Sequence, residues 1–252
     1  MSALAAQDLA LVRGGKRILS GITIRFEPGA ITAIVGPNGA GKSSLLMACA
    51  GLIEAETGNI ELADRPISAL SHRERAQALG YLPQSGEVAW DVTARALVAL
   101  GRMPHGDASS PKGEKAIKAA LNALGCEPLQ DRRARQLSGG ERARILLARV
   151  LAGDPQFILA DEPLAALDLA HQINLIAHFK TCAAMGKGVV MVLHDLSQAM
   201  NFADRVLVLN EGRCVSDDAP SIALNEQIIA DVWGVAARWM GEDGARALII
   251  EA

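Results

Sequence analysis

Three short stretches of this chain combine residue types that can hold and cleave a phosphate. Gly36, Pro37, Asn38, Gly39, Ala40, Gly41, Lys42 and Ser43 fit the pattern G-x-x-x-x-G-K-[ST]. Glycines at those positions let backbone N–H groups converge on β- and γ-phosphates, Lys42 adds a point charge, and the Ser43 hydroxyl is a magnesium ligand. Asp161-Glu162 follow the apolar run Phe157-Ile158-Leu159-Ala160. An aspartate there suits the hydration shell of Mg2+, and a glutamate suits orienting or deprotonating an attacking water. Ser138-Gly139-Gly140-Glu141 has the S-x-x-E spacing of a capping box. A cap does not account for two glycines in a first turn, where each costs helix stability. They fit close approach of an anion to the positive end of a helix, with Ser138, Gly139, Gly140 and Glu141 as the candidate site.

These residues need a scaffold that brings them to one place. Residues 3 to 35 alternate apolar and polar positions around turns at Gly14-Gly15 and Glu27-Pro28-Gly29. They predict a short antiparallel sheet feeding a buried strand over 31–35. The Gly-rich turn follows, then a helix over about 42–50, a strand within 57–64, a short helix, and a strand ending at Tyr81-Leu82-Pro83-Gln84. From about Val92 to Ala152 the pattern is helical, broken by a loop over 103–112 and by Gly125, with its last helix over 142–152. Strand and helix then alternate over 157–160, 169–184, 188–193, 197–202 and 205–209. In a parallel sheet the strand C-termini meet at one edge, so Asp161 and Glu162 should emerge beside the Gly36–Ser43 turn. No repeat, low-complexity tract or linker divides the chain, so these parts read as subdomains of one unit.

Composition narrows the class. The chain has 252 residues, with 25 Lys plus Arg against 28 Asp plus Glu and a net charge of −3, so it lacks the basic footprint of a nucleic-acid binder. Half the residues are apolar and 21% are charged, which supplies a core and argues against disorder. No apolar run approaches the roughly 18–20 residues of a membrane-spanning helix. Aromatics at 3% fit aliphatic strands covered by helices on both faces. Cys49, Cys126, Cys182 and Cys214 are far apart with no C-x-x-C pair, which argues against a metal site or disulfide framework and suits a reducing compartment. Asp8 interrupts the first apolar stretch and the basic residues follow it, the reverse of a signal peptide.

GPNGAGKSS, LSGGE and ILADEP, in this order and spacing, resemble the motifs of the ATP-binding cassette family, and the resemblance spans essentially the whole chain. It implies an α/β P-loop NTPase fold: a RecA-like mixed sheet core with an N-terminal antiparallel β subdomain (1–84 and 153–252) and an inserted α-helical subdomain (85–152). It also implies ATP and Mg2+ as ligands and a homodimer, with Ser138, Gly139 and Gly140 acting on the nucleotide held by a second chain. By the same resemblance, Gln84 in YLPQ senses Mg2+ and contacts the membrane partner. His194 in VLHDL contacts the γ-phosphate and supports Glu162, and Leu167-Asp168 end the dimer-crossing loop. Three positions depart from the family pattern. Arg13 stands where an aromatic residue stacks on adenine, Ala165 where a serine is common, and Ser44 where a threonine is usual. Residues 93–105, TARALVALGRMPH, are similar to the subunits of importers for iron–siderophore, haem or cobalamin. That similarity implies a peripheral ATPase on the cytoplasmic face of the inner membrane. It would bind integral permease subunits, with a docking face over 92–100, and work indirectly with a substrate-binding protein. The nucleotide motifs alone are shared by exporters, by cassettes of iron–sulfur assembly, and by soluble clamps on nucleic acid or ribosomes. Such clamps usually carry two cassettes or a long coiled-coil insertion, which are missing here.

Overall fold

The computed structural model describes residues 3–84 and 91–251. Residues 85–90, where the helical subdomain was expected to begin, lie outside the described residues. The chain opens with β1 (Leu4–Arg13), β2 (Lys16–Phe26), β3 (Ile31–Val35), α1 (Lys42–Cys49), β4 (Thr57–Leu62), β5 (Arg65–Pro66), α2 (His72–Ala78) and β6 (Leu79–Leu82). The helical part holds α3 (Ala94–Ala99), α4 (Pro111–Ala123) and α5 (Gly139–Ala152). Alternation resumes with β7 (Phe157–Asp161), α6 (Leu169–Ala184), β8 (Gly188–Val192), α7 (Leu196–Phe202) and β9 (Arg205–Asn210). The last part comprises β10 (Arg213–Asp218), α8 (Pro220–Ala223), α9 (Glu226–Trp233), β11 (Ala237–Met240) and β12 (Ala247–Ile250).

The central sheet has the order β10-β9-β3-β8-β7-β6, parallel throughout except for β10, which pairs antiparallel with β9. Strands buried on both faces cannot alternate apolar with polar, so they alternate between two cores. Ile158 and Ala160 of β7 and Val189 and Met191 of β8 pack on the helical side. Phe157, Leu159, Val190 and Val192 face the other side, where α1 and the antiparallel sheet β2-β1-β4-β5 cover them. This is the expected architecture. Its consequence is positional: the phosphate-type turn leaves β3, Asp161-Glu162 leave β7, His194 leaves β8 and Gln84 follows β6, all at the C-terminal edge of neighbouring parallel strands.

Three expectations are corrected. The loop expected over 103–112 is shorter, because Pro111 is tolerated in a first helical turn and the Ser110 hydroxyl accepts a hydrogen bond from Gly113 N, so α4 starts at Pro111. The helix expected from Arg142 starts at Gly139, since Ser138 is its N-cap. The docking face expected over 92–100 is internal: Ala94, Leu97 and Val98 are buried, and Val92, Ala99 and Leu100 pack against the same core. Beyond this segment Met103 is exposed, in a loop whose Pro104 and His105 carbonyls accept hydrogen bonds from Arg73.

Candidate functional site

Between β3 and α1 the chain must turn without side chains in the way. A Cβ on Gly36 would lie 2.0 Å from the Leu209 carbonyl oxygen, so that position has no room for any other residue. The loop passes Asn38, Gly39 and Ala40 and reaches Gly41, which adopts φ 100° immediately before α1. Lys42 is buried, and its Nζ donates to the carbonyls of Gly36 (2.8 Å) and Pro37 (2.9 Å). The ammonium is therefore held inside the ring that its own loop forms. Burial lowers its pKa, opposed by the carboxylates of Glu162 and Asp161. Ser43 donates its Oγ hydrogen to Asp161 Oδ1 at 3.1 Å, across 118 residues of sequence. Ser44 follows in α1 with no side-chain hydrogen bond among the described residues.

Asp161, the last residue of β7, is 4% exposed, and burial raises its pKa; the Ser43 hydrogen bond and the charges of Lys42 and His194 pull the other way. Glu162 leaves the strand in the left-handed region, φ 50°, an uncommon conformation for a residue with a Cβ. That turn sends its carboxylate toward β8, where His194 Nε2 donates to Glu162 Oε1 at 2.5 Å. The bond fixes the tautomer, because the carboxylate can only accept. Gln84 is exposed at the end of the edge strand and lines a cleft of about 280 Å3 together with Asp161, Glu162, Gly139 and Arg142.

The capping box at α5 is formed as expected: Glu141 N donates to Ser138 Oγ, and Ser138 N donates to Glu141 Oε2. Arg132 holds Glu141 from outside at 2.8 Å. The two glycines differ. A Cβ on Gly139 would meet nothing within 4 Å, whereas one on Gly140 would approach the Ala166 carbonyl oxygen to 3.1 Å. Gly140 is thus accounted for by packing inside the chain, and Gly139 marks the open end of the helix. Among the described residues, no hydrogen bond or ion pair joins residues 138–141 to the loop 36–44. The structure brings together Lys42, Ser43, Asp161, Glu162 and His194, with Gln84 at their margin; Gly139 at the α5 start borders the Asp161–Glu162 cleft without a bond to the loop 36–44.

Arg13 lies at the exposed turn of the β1–β2 hairpin, paired in register with Lys16. That hairpin borders the loop, since a Cβ on Gly41 would meet Leu19 of β2 at 2.6 Å. The sequence reading overlooked Gln172 and Gln198, which share a small cleft with Glu162 and His194. Their only signal was position, four residues beyond Asp168 and four beyond His194.

Comparison with known proteins agrees with this geometry. Residues 19–165 match the family model described as "ABC transporter". The hemin import ATP-binding protein HmuV of Rhodococcus jostii (strain RHA1) is 40% identical over 234 residues, which cover 92% of this chain and 80% of that protein. HmuV of Myxococcus xanthus (strain DK1622) is 39% identical over 252 residues, covering 96% and 94%. Among solved structures, a metal-chelate type ABC transporter in an inward-facing conformation is similar at 25% identity and TM-score 0.82, with 100% of this chain and 97% of that one covered. A dimeric ATP-binding cassette with bound ADP and Pi is similar at 25% identity and TM-score 0.79, covering 86% and 98%.

Proposed function

This chain belongs to the ABC transporter family and is one of its ATP-hydrolysing subunits; on that premise we propose that it powers uptake of a metal chelate, of the hemin class, through a partner permease. The observation that carries the cargo class is the 40% identity to a hemin import subunit across 92% of the chain. In this reading two copies pair at the cytoplasmic face of the membrane, bound to permease subunits and served by a substrate-binding protein. Among the described residues no helix is long and apolar enough to cross a membrane, so attachment falls to the permease.

The amides of Gly36–Ser43 and the Lys42 ammonium bind the β- and γ-phosphates of ATP. Ser43 Oγ and the buried Asp161 carboxylate, 3.1 Å apart, are hard oxygen donors of the kind Mg2+ takes, and Gln84 stands at the margin of the same site. Ser43 and Asp161 would hold a Mg2+ ion there, and it would supply charge that neutralises the phosphates. Glu162 orients and deprotonates the water that attacks the γ-phosphorus in line. His194 holds that carboxylate in place through its Nε2–H, beside the phosphoryl group that is transferred. Ser138 and Gly139 of a second chain complete the cage at the open end of α5, and Arg13 borders the adenine side.

Glu162→Gln should reduce ATP turnover by at least about 100-fold while leaving nucleotide binding intact, because the amide still orients but takes up no proton. Wild-type turnover in that variant would remove Glu162 from the chemistry. The cargo is tested by reconstituting the chain with its permease in vesicles and measuring ATP-dependent accumulation of hemin. Outward movement, or recovery of the chain with ribosomes rather than with a multi-spanning protein, would overturn the import reading.

A further inference from the structure

The segments that leave β7 and β8 are joined twice. The first link is His194 to Glu162. The second runs through two half-buried amides that the mechanism above does not use. Gln172 Nε2, on the first turn of α6, donates to the carbonyls of Leu164 and Leu167, each at 3.1 Å. Gln198 Nε2, on α7, donates to Gln172 Oε1 at 3.3 Å. Because both loop carbonyls can only accept, the Gln172 amide cannot be flipped, and Gln198 must be the donor to it. The polarity of the chain Gln198 to Gln172 to the loop is therefore fixed.

What this chain joins is specific. Gln198 lies four residues after His194, on a helix capped by Asp195, which accepts from Ser197 N and Gln198 N. The loop it reaches leads out of Glu162, whose φ of 50° needs outside support to persist. Pro163 and Leu164 of that loop are buried and Leu167 packs against the core, while Ala165 and Ala166 between them are exposed, so the two carbonyls that Gln172 holds flank the unpacked stretch. We propose that Gln172 and Gln198 form a positioning brace that holds the Glu162 loop in register with His194, so that the carboxylate and the imidazole meet in the geometry the reaction needs. The inference rests on the proposed roles of Glu162 and His194, and it adds two residues that never touch the nucleotide.

Gln198→Glu tests the link, because it keeps the size of the side chain and replaces the donor with an acceptor; it also adds a negative charge, which Gln198→Leu does not. With it go Gln172→Leu, Gln198→Leu and the double Leu variant, all in the full-length chain. Each Gln198 variant is expected to lower kcat for ATP roughly 5-fold with KM for ATP within about 2-fold, the scale of one lost neutral hydrogen bond, and Gln172→Leu, which loses three bonds, by at least as much. The double variant should be no slower than Gln172→Leu alone by more than about 2-fold, since both act on one link. Amide hydrogen exchange gives a readout independent of turnover: in Gln198→Glu the peptide spanning 164–168 should exchange roughly 5-fold faster, although residue 198 makes no hydrogen bond to that loop. Unchanged exchange and unchanged kcat in Gln198→Glu, or losses that multiply in the double variant, would overturn the brace. Absent turnover in the wild-type chain would instead count against the proposed function, and the exchange comparison would still decide the brace.

Discussion

Asp161 pairs a buried carboxylate with the Ser43 hydroxyl, a pair of hard oxygen donors that suits a cation. Burial raises its pKa above the ordinary aspartate value. A carboxyl that holds its proton more tightly when folded makes the protein more stable at low pH. Stability is lost as pH rises from the unfolded value through the raised folded one, and the loss is complete above it. Asp161→Asn removes that titration while leaving an oxygen for the Ser43 hydroxyl. The variant should therefore melt at a higher temperature than the wild type at neutral pH. The gap should close as the pH falls below the aspartate range, and magnesium-dependent ATP turnover should be lost at all pH values. A neutral-pH melting point at or below that of the wild type, measured by calorimetry, would mean that the Ser43 and Lys42 contacts outweigh the burial.

At the level of elements, α5 carries two demands at its first turn, and they can be separated. Ser138 caps the helix in this chain. In the proposed dimer it also faces the phosphate of another chain. Ser138→Asp preserves a good cap but places a negative charge where the phosphate should sit, so stability should stay within about 0.5 kcal/mol while ATP turnover collapses. Gly139→Ala should stabilise the isolated chain by roughly 0.5–1 kcal/mol, because its Cβ enters open space on a helical residue, and it should also impair turnover. Denaturant melts alongside ATPase assays check both; a Ser138→Asp chain that hydrolyses normally would leave the box a cap and nothing else. The elements around α5 show what was legible in the sequence. Strands β3, β7 and β8 and helix α6 could be read because they are long apolar runs or periodic segments bounded by glycine and aspartate. The hairpin of β11 and β12 could not. It is held by tertiary contacts: Asn201 exchanges two hydrogen bonds with Arg246, and the Trp239 indole donates to the Leu224 carbonyl. Gln172 and Gln198 escaped notice for a similar reason, since an amide on a helix reads as a solvated face until its partner 26 residues away is known. Residues 92–100 misled in the opposite direction, because an apolar helix face looks the same whether it meets a partner or its own core.

Across the whole molecule, one chain contains every part of the proposed site, but no bond joins the α5 start to the phosphate loop among the described residues. Lys42, Ser43, Asp161, Glu162 and His194 meet at the sheet edge, while Gly139 opens onto solvent at the positive end of α5. If the halves of each site come from different chains, a two-fold pair holds two equivalent sites, each with Lys42 from one copy and Ser138 from the other. The arrangement makes a prediction that a site within one chain does not. Lys42→Ala removes the phosphate-binding charge, and Ser138→Asp blocks the opposite wall, so each variant alone should be inactive. In a mixed pair, however, both lesions fall into one site and the second is assembled from an intact Lys42 and an intact Ser138. Mixing the two inactive chains in equal amounts should restore turnover to roughly a quarter of the wild-type level, since half of randomly formed pairs are mixed and each has one working site. A single chain carrying both substitutions, mixed with wild type, spreads one lesion into each site and should restore nothing beyond what the wild-type pairs supply. Light scattering in the presence of ATP should find twice the 26.5 kDa of one chain. Failure of the first mixture to recover activity, with paired chains demonstrated in the same sample, would place the start of α5 outside the site.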